Sequence, residues 1–496
     1  MNLLGKNISA NLLSNVWLTA LVLSLTPLYI WLLGVESYGL IGFYLSWISI
    51  LAILDTGVSA TAMREIAWRS ARPETKGTIP ALLRSLEVTY WGIILVLGVG
   101  ILAGAWFFGT GWFQAKTLQP DVIRDVLMLM AVSLVVQVPS GLYVGGLMGL
   151  QRQVECSGLL AIFGTVRGLG SVMVLLFISR DIYTFFLWQI VASVLQTGVM
   201  RWSLWRRVSM DGHPARFSAE MLLTLKGYVG SIILVSVLGI ILSQADKMIL
   251  SRMSSLEEFG FYMLAWAVAS GLSRVATPVI QAFSPQFTEL VSRGDEGSLA
   301  RQVRIASQLM SVLIIPPAAL IVFLSKPILL VWLGSEITAE GTAPILAVMV
   351  IGTMFASCSF PSVTILYSKK QLLPVVAVNL ICLIVLLPLL IVAVVYFSVM
   401  GAAYIWGLYG LILYVAYQVI GLRGLTNTRI FSSTLRDFIA PCVMSFFIAG
   451  LAGYWLGEVN GKITFVFFFI LTLLVSWFAA LLACEDLRKI VMEKWK

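Results

Sequence analysis

The sequence predicts an all-α integral membrane protein of about fourteen transmembrane helices, built as two homologous six-helix lobes around a central cavity with two peripheral C-terminal helices. Three observations carry that expectation: composition, apolar runs of membrane length, and an internal repeat. Of 496 residues, 59% are hydrophobic and only 11% charged, and mean hydropathy is +0.95. A soluble domain of this length has no interior large enough to bury so much apolar surface. Cut near residue 220, the chain lies partly on itself: Glu36-Ser37-Tyr38-Gly39 matches Glu257-Glu258-Phe259-Gly260 at an offset of 221. Gly77-Thr78 matches Gly297-Ser298, and Arg84 matches Arg304, at an offset of 220. Lys6 and Lys226 each open a half ahead of a long apolar segment. A duplicated hydrophobic unit of this size marks a membrane transporter whose substrate path lies between two homologous bundles.

Runs of about 20 apolar residues, enough to cross a hydrocarbon core of ~30 Å, fall in order at residues 8–33, 38–63, 82–109, 122–148, 157–178 and 182–205. The second half continues with 222–250, 259–288, 303–324, 341–367, 372–397 and 400–421, and the chain closes with 434–456 and 462–484. The last two are rich in Phe, Leu, Ala and Val without a continuous polar stripe, and they fall outside the repeat. The expected division is therefore 1–215 as the N-lobe, 216–425 as the C-lobe, and 426–496 as a peripheral helix pair with a tail.

Alternate loops differ sharply in charge. One set, which includes both termini, holds 24 Lys and Arg, and the other holds 7. Cytoplasmic loops carry the excess, so both termini are expected in the cytoplasm and the helix count is even. The net charge of +9 is thus a topology signal, and nucleic-acid binding is not expected. The first apolar run is too long for a cleaved leader and lacks an Ala-x-Ala site, so a retained helix is expected.

Several chemistries are disfavoured. The five cysteines have no CxxC spacing and read as small buried residues. The single His213 precedes Pro214 in a loop and is not expected to bind metal. No GxxxxGK[ST] loop is present, so the chain is not expected to hydrolyse ATP. A membrane glycan polymerase or ligase would need acids or metal ligands on a sizeable external loop. The longest external connections offer only Asp121, Glu336 and Glu340.

Polar residues inside the apolar runs carry the mechanistic information. A charge at mid-bilayer costs about 2.5 to 3.5 kcal/mol on insertion scales, so retained ones usually face a cavity or a partner. Arg167 is central in the fifth run and Arg274 in the eighth, where Arg274 shares a face with Ser270, Gly271, Thr277, Pro278 and Gln281. Comparable stripes are Asn11, Asn15, Thr19 and Thr26 on the first run and Ser133, Gln137 and Ser140 on the fourth. The tenth has Ser357, Ser359, Ser362 and Thr364 around Pro361. These faces would line a wet cavity; alternatively each hydroxyl bonds its own backbone or a neighbouring helix. Asp55 has two open readings, a pair with a lumen arginine or a site for a coupling H+ or Na+. Asp246 adjoins Lys247, so a structural ion pair stands beside a substrate role.

The segment LGVESYGLIGFYLSWISILAILDTGVSATAMREIA, residues 33–67, resembles the N-terminal signature of the polysaccharide transporter family, the Wzx-type O-antigen flippases. SQADKMILSRMSSLEEFGFYMLAWAVASGL, residues 243–272, is similar to the matching region of that family's second lobe, and residues 278–290 continue it. The resemblance implies a bacterial inner-membrane protein that flips an undecaprenyl-diphosphate-linked oligosaccharide to the periplasmic leaflet by alternating access. It implies no cofactor beyond a coupling cation, and a glycan polymerase or ligase as partner. Arg167 and Arg274 would then meet the diphosphate, and Arg64 would be a phosphate contact at the cytoplasmic mouth or a positive-inside anchor. The same superfamily also holds lipid II flippases and cation-coupled multidrug antiporters, which remain alternatives.

Overall fold

The computed structural model describes residues 3–208, 216–422, 428–456 and 461–494. Side chains are described for these apart from residues 3–12, 53, 54, 56, 222–238, 428–435, 456, 491, 492 and 494. Among the described residues every element is a helix, and pairing between extended segments is limited to one isolated bridge between Gln114 and Ser255. The chain divides into two compact units, Met1–Gly260 and Phe261–Lys496.

The first unit contains α1 (Leu3–Ser70), α2 (Pro73–Lys76), α3 (Ile79–Trp112), α4 (Pro120–Gln137), α5 (Ser140–Gly149), α6 (Gln153–Phe177), α7 (Ile182–Val208) and α8 (Ala219–Met253), and the start of α9 (Leu256–Arg293). Gly34 breaks α1 at φ 81° and ψ 169°, a conformation open to glycine and costly for a residue with a β-carbon. The arm before the break packs on α6, where Trp17 donates to Thr165 at 2.8 Å and the Tyr29 hydroxyl to the Gly168 carbonyl at 3.0 Å. The arm after it packs on α4 and α5. There Tyr44 meets Ser133, and the Ser59 hydroxyl donates to the Gly141 carbonyl at 2.9 Å. The break between α4 and α5 follows from Pro139, which has no N–H to continue the ladder.

The two repeated Glu-x-x-Gly segments touch one another within this unit. A β-carbon at Gly39 would lie 2.8 Å from the Leu256 carbonyl, and one at Gly260 would lie 2.5 Å from the Val35 carbonyl. Only glycine allows that approach. Glu36 accepts the backbone N–H groups of Lys116, Thr117 and Leu118, and Glu257 pairs with the Lys116 ammonium at 2.8 Å. Ser255 and Glu258 form a reciprocal capping box at the start of α9, each backbone N–H donating to the other's side chain at 3.2 Å.

The second unit contains the remainder of α9, then α10 (Glu296–Leu333), α11 (Glu336–Cys358), α12 (Phe360–Ser368), α13 (Leu372–Leu422), α14 (Thr428–Leu456), α15 (Lys462–Ala483) and α16 (Glu485–Lys494). α13 is a helical hairpin folded at Ser398, which takes φ 48° and ψ −134°. Asn379 and Tyr417 lie 38 residues apart yet their side chains meet at 3.5 Å, whereas a straight helix would separate them by about 57 Å. Ala319, Leu320 and Leu324 of α10 form one apolar cluster with Ala449 and Ala452 of α14 and Phe465 of α15. α15 leaves Ile463, Phe467, Leu474 and Phe478 exposed, as a lipid-facing surface requires.

Eleven helices among the described residues are long and apolar enough to cross a membrane, against the fourteen separate spans expected. Part of the difference has a physical cause. Around Gly34 and Ser398 the sequence suggests loops between spans, but the chain turns there by one distorted residue, and the helix continues on either side.

Candidate functional site

Arg167 sits near the middle of α6 and is held by residues of two further helices. Its guanidinium donates to Gln137 Oε1 from α4, and to Ser193 Oγ at 3.3 Å and Gln196 Oε1 at 2.9 Å from α7. Gln137 also accepts from the Tyr44 hydroxyl of α1 at 2.8 Å, and Tyr44 meets Ser133 at 2.7 Å. The amide of Gln137 reaches both because it is the last residue of α4, ahead of the proline break. Among the described residues every acceptor of Arg167 is neutral. A guanidinium cannot shed its charge by losing a proton, so this cluster keeps a full positive charge within a membrane-spanning helix.

The structure therefore brings together Arg167 and Gln137 of the expected site, and it adds Tyr44, Ser193 and Gln196, which have no charge or proline to mark them in the sequence. Asp55 lies elsewhere in the unit. Tyr90, not an arginine, is its hydrogen-bond partner among the described residues, at 3.3 Å from Oδ1. The carboxylate fits because Gly141 faces it: a β-carbon there would fall 1.7 Å from Oδ1. Asp246 and Lys247 form a buried ion pair at 3.1 Å, and Lys247 also donates to the Ser243 carbonyl at 2.8 Å.

Arg274 and Gln281 lie exposed, two turns apart on α9. Around them Thr277 donates to the Ser273 carbonyl, Ser270 to the Ala267 carbonyl, and Ser273 meets Ser357 of α11. The hydroxyl stripes mostly take the local alternative. Thr19 and Thr26 bond the backbone one turn earlier, Ser359 and Thr364 do likewise, and Ser362 donates to Gln418. Asn15 is exposed on the first arm of α1, whereas the side chain of Asn11 and the whole of His213 lie outside the described residues. Arg64 is exposed near the end of α1, and its neighbour Glu65 pairs with Arg69 at 3.5 Å. Among the described residues no group of His, Cys, Asp and Glu could hold a metal ion.

The fold is similar to that of "Lipid II flippase MurJ, inward closed conformation", with a TM-score of 0.73 at 15% identity over 97% of this chain and 98% of that one. It is also similar to the Vibrio cholerae MATE transporter VcmN, with a TM-score of 0.56 at 12% identity over 87% and 98%. An inward-facing multidrug resistance MATE family transporter of the MOP superfamily gives 0.58 at 14% identity over 87% and 96%. No curated protein sequence matches. The profile of the family described as polysaccharide biosynthesis protein matches residues 4–291, more than half of the chain, and the chain belongs to that family.

Proposed function

We propose that this chain is a flippase that moves an undecaprenyl-diphosphate-linked oligosaccharide from the cytoplasmic to the periplasmic leaflet of the bacterial inner membrane, for O-antigen or a related surface polysaccharide. The observation that carries the reading is Arg167, a membrane-embedded cation whose hydrogen-bond acceptors among the described residues are neutral oxygens. A site of that kind is complementary to an anionic diphosphate, which it would meet with charge-assisted hydrogen bonds. Arg274, exposed on α9 beside Gln281, would supply a second contact. Asn11, Asn15 and Gln137 would serve the sugars and Arg64 the cytoplasmic mouth. Residues 1–215 and 216–425 would rock as the two lobes of alternating access, while Asp55 takes up a coupling H+ or Na+. A glycan polymerase or ligase would receive the product.

A lipid II flippase is the second reading, favoured by the likeness to MurJ over nearly the full length of both chains. The two separate on deletion of the gene, with lipid-linked intermediates followed on each face of the inner membrane. Cytoplasmic accumulation of a surface-glycan intermediate, restored by wild type and not by Arg167→Ala or Arg274→Ala, supports the proposal. Accumulation of the peptidoglycan precursor supports the second reading. Normal appearance of both lipids outside overturns flipping, and the antiporter reading is then tested by drug efflux.

A further inference from the structure

Glu87 lies on α3 within a membrane-spanning helix and is almost fully buried, 3% exposed. Two cations converge on it: Arg84 from the same helix at 3.0 Å, and Arg201 from α7 through its Nε. The Tyr143 hydroxyl of α5 donates to Glu87 at 2.7 Å and accepts from Trp91 Nε1 at 3.1 Å. Tyr143 is itself wholly buried. The network is thus anchored on its inner side by three helices.

Its outer side is open. The side chains of Arg84 and Arg201 are 43% and 49% exposed, against 4% for Glu87. Two guanidiniums share one carboxylate, so the cluster carries one net positive charge. Each guanidinium has about five N–H donors and spends one on Glu87. With Glu87 between them, both line a cavity of about 420 Å³ whose remaining wall is Val88, Trp91, Gly92 and Leu95. Val88, Gly92 and Leu95 follow one face of α3 at helical spacing. A β-carbon at Gly92 would meet nothing within 4 Å, so this face is an open apolar trough leading away from the arginines.

We propose that this is a binding site for an anionic glycerophospholipid, whose headgroup phosphate bonds Arg84 and Arg201 while one acyl chain lies along Val88, Gly92 and Leu95. A cationic end joined to an apolar trough is complementary to an amphiphile with a negative head. A free phosphate would have no use for the trough. Both arginines belong to the cation-rich set of loops, which assigns the site to the cytoplasmic leaflet, where juxtamembrane cations meet anionic lipid. The site does not depend on the transport reading, because its ligand is a resident lipid and not the cargo.

The test is native mass spectrometry of the purified full chain titrated with phosphatidylglycerol, with phosphatidylcholine and inorganic phosphate as separate arms. Wild type should retain phosphatidylglycerol in preference to phosphatidylcholine. Arg84→Gln, which leaves the Arg201–Glu87 pair intact, should weaken retention about tenfold, the size expected when one charge-assisted hydrogen bond is lost. The triple variant Arg84→Gln, Arg201→Gln, Glu87→Gln removes both cations without stranding a buried carboxylate, and should abolish the preference. Arg72→Gln, on a guanidinium stacked over Trp68, should leave it unchanged. Equal retention by wild type and triple variant overturns the proposal, as does displacement of the lipid by inorganic phosphate at equal concentration.

Discussion

Arg167 shows how a single residue can be stabilised locally without being neutralised. Its neutral acceptors satisfy the guanidinium's geometry but do not offset its charge, and the fold bears a desolvation cost for keeping it. Arg167→Gln should therefore leave the thermal midpoint of the purified protein unchanged or raised, while lowering glycan export by at least about tenfold, the worth of one ionic hydrogen bond. A variant that loses stability and export together would make Arg167 a structural residue. Gly141 supports the converse argument. Gly141→Ala would place a methyl against the Asp55 carboxylate and should cost about 1–3 kcal/mol by overpacking. Combining it with Asp55→Ala should recover most of that loss in thermal unfolding, since the colliding atoms are gone. Arg167 and Gln137 were legible in the sequence because polar groups within apolar runs stand out. Tyr44, Ser193 and Gln196 were not, since the choice of neighbouring helices is a tertiary fact. Glu87 was within reach, as an acid five residues into the run at 82–109, but its pairing with Arg201 across 114 residues was not.

At the scale of elements, α5 meets α1 through glycines spaced four apart. β-Carbons at Gly145 and Gly149 would lie 2.3 Å from the Ser59 carbonyl and 2.7 Å from the Met63 carbonyl. With Gly141 against Asp55, the two helices cross along matched four-residue ridges, the close approach that small residues permit in membranes. Gly145→Leu should force the helices apart and sharply lower the yield of folded protein on size-exclusion chromatography, whereas Gly158→Leu, at a glycine with open space around it, should not. The hairpin of α13 turns on a different constraint. Ser398 holds a positive φ in a region that glycine occupies at little cost, so Ser398→Gly should raise the midpoint by the equivalent of about 1 kcal/mol. Length and hydropathy located both arms of this hairpin to within a few residues. They could not show that its turn would shrink to one residue, because position 398 lacks the glycine or asparagine that marks a positive φ.

For the whole molecule, the repeat and the charge asymmetry were the most legible features, and they bear on different questions. Matched Glu-x-x-Gly segments at 36–39 and 257–260 predict that the halves share a plan, and their glycines lie where one segment's backbone approaches the other's too closely for a β-carbon. Which side of the membrane each loop faces is a separate matter of charge, since helix packing is compatible with either orientation. The distribution of 24 against 7 cations predicts that Lys76 and Arg152 face the cytoplasm while Lys116 and Arg180 face the opposite side. All four are exposed. Cys156, Cys358, Cys382 and Cys484 are buried, so a cysteine introduced at any of these four sites should react with a membrane-impermeant maleimide above a low background once Cys442 is replaced by Ser. Intact cells should label Lys116→Cys and Arg180→Cys, with Lys76→Cys and Arg152→Cys labelled only after permeabilisation. Loss of the Lys116–Glu257 contact should not disturb the result, because an exposed, solvent-screened ion pair contributes little to stability. The reverse labelling pattern would invert the chain in the membrane and with it the direction in which Arg64 could receive a substrate.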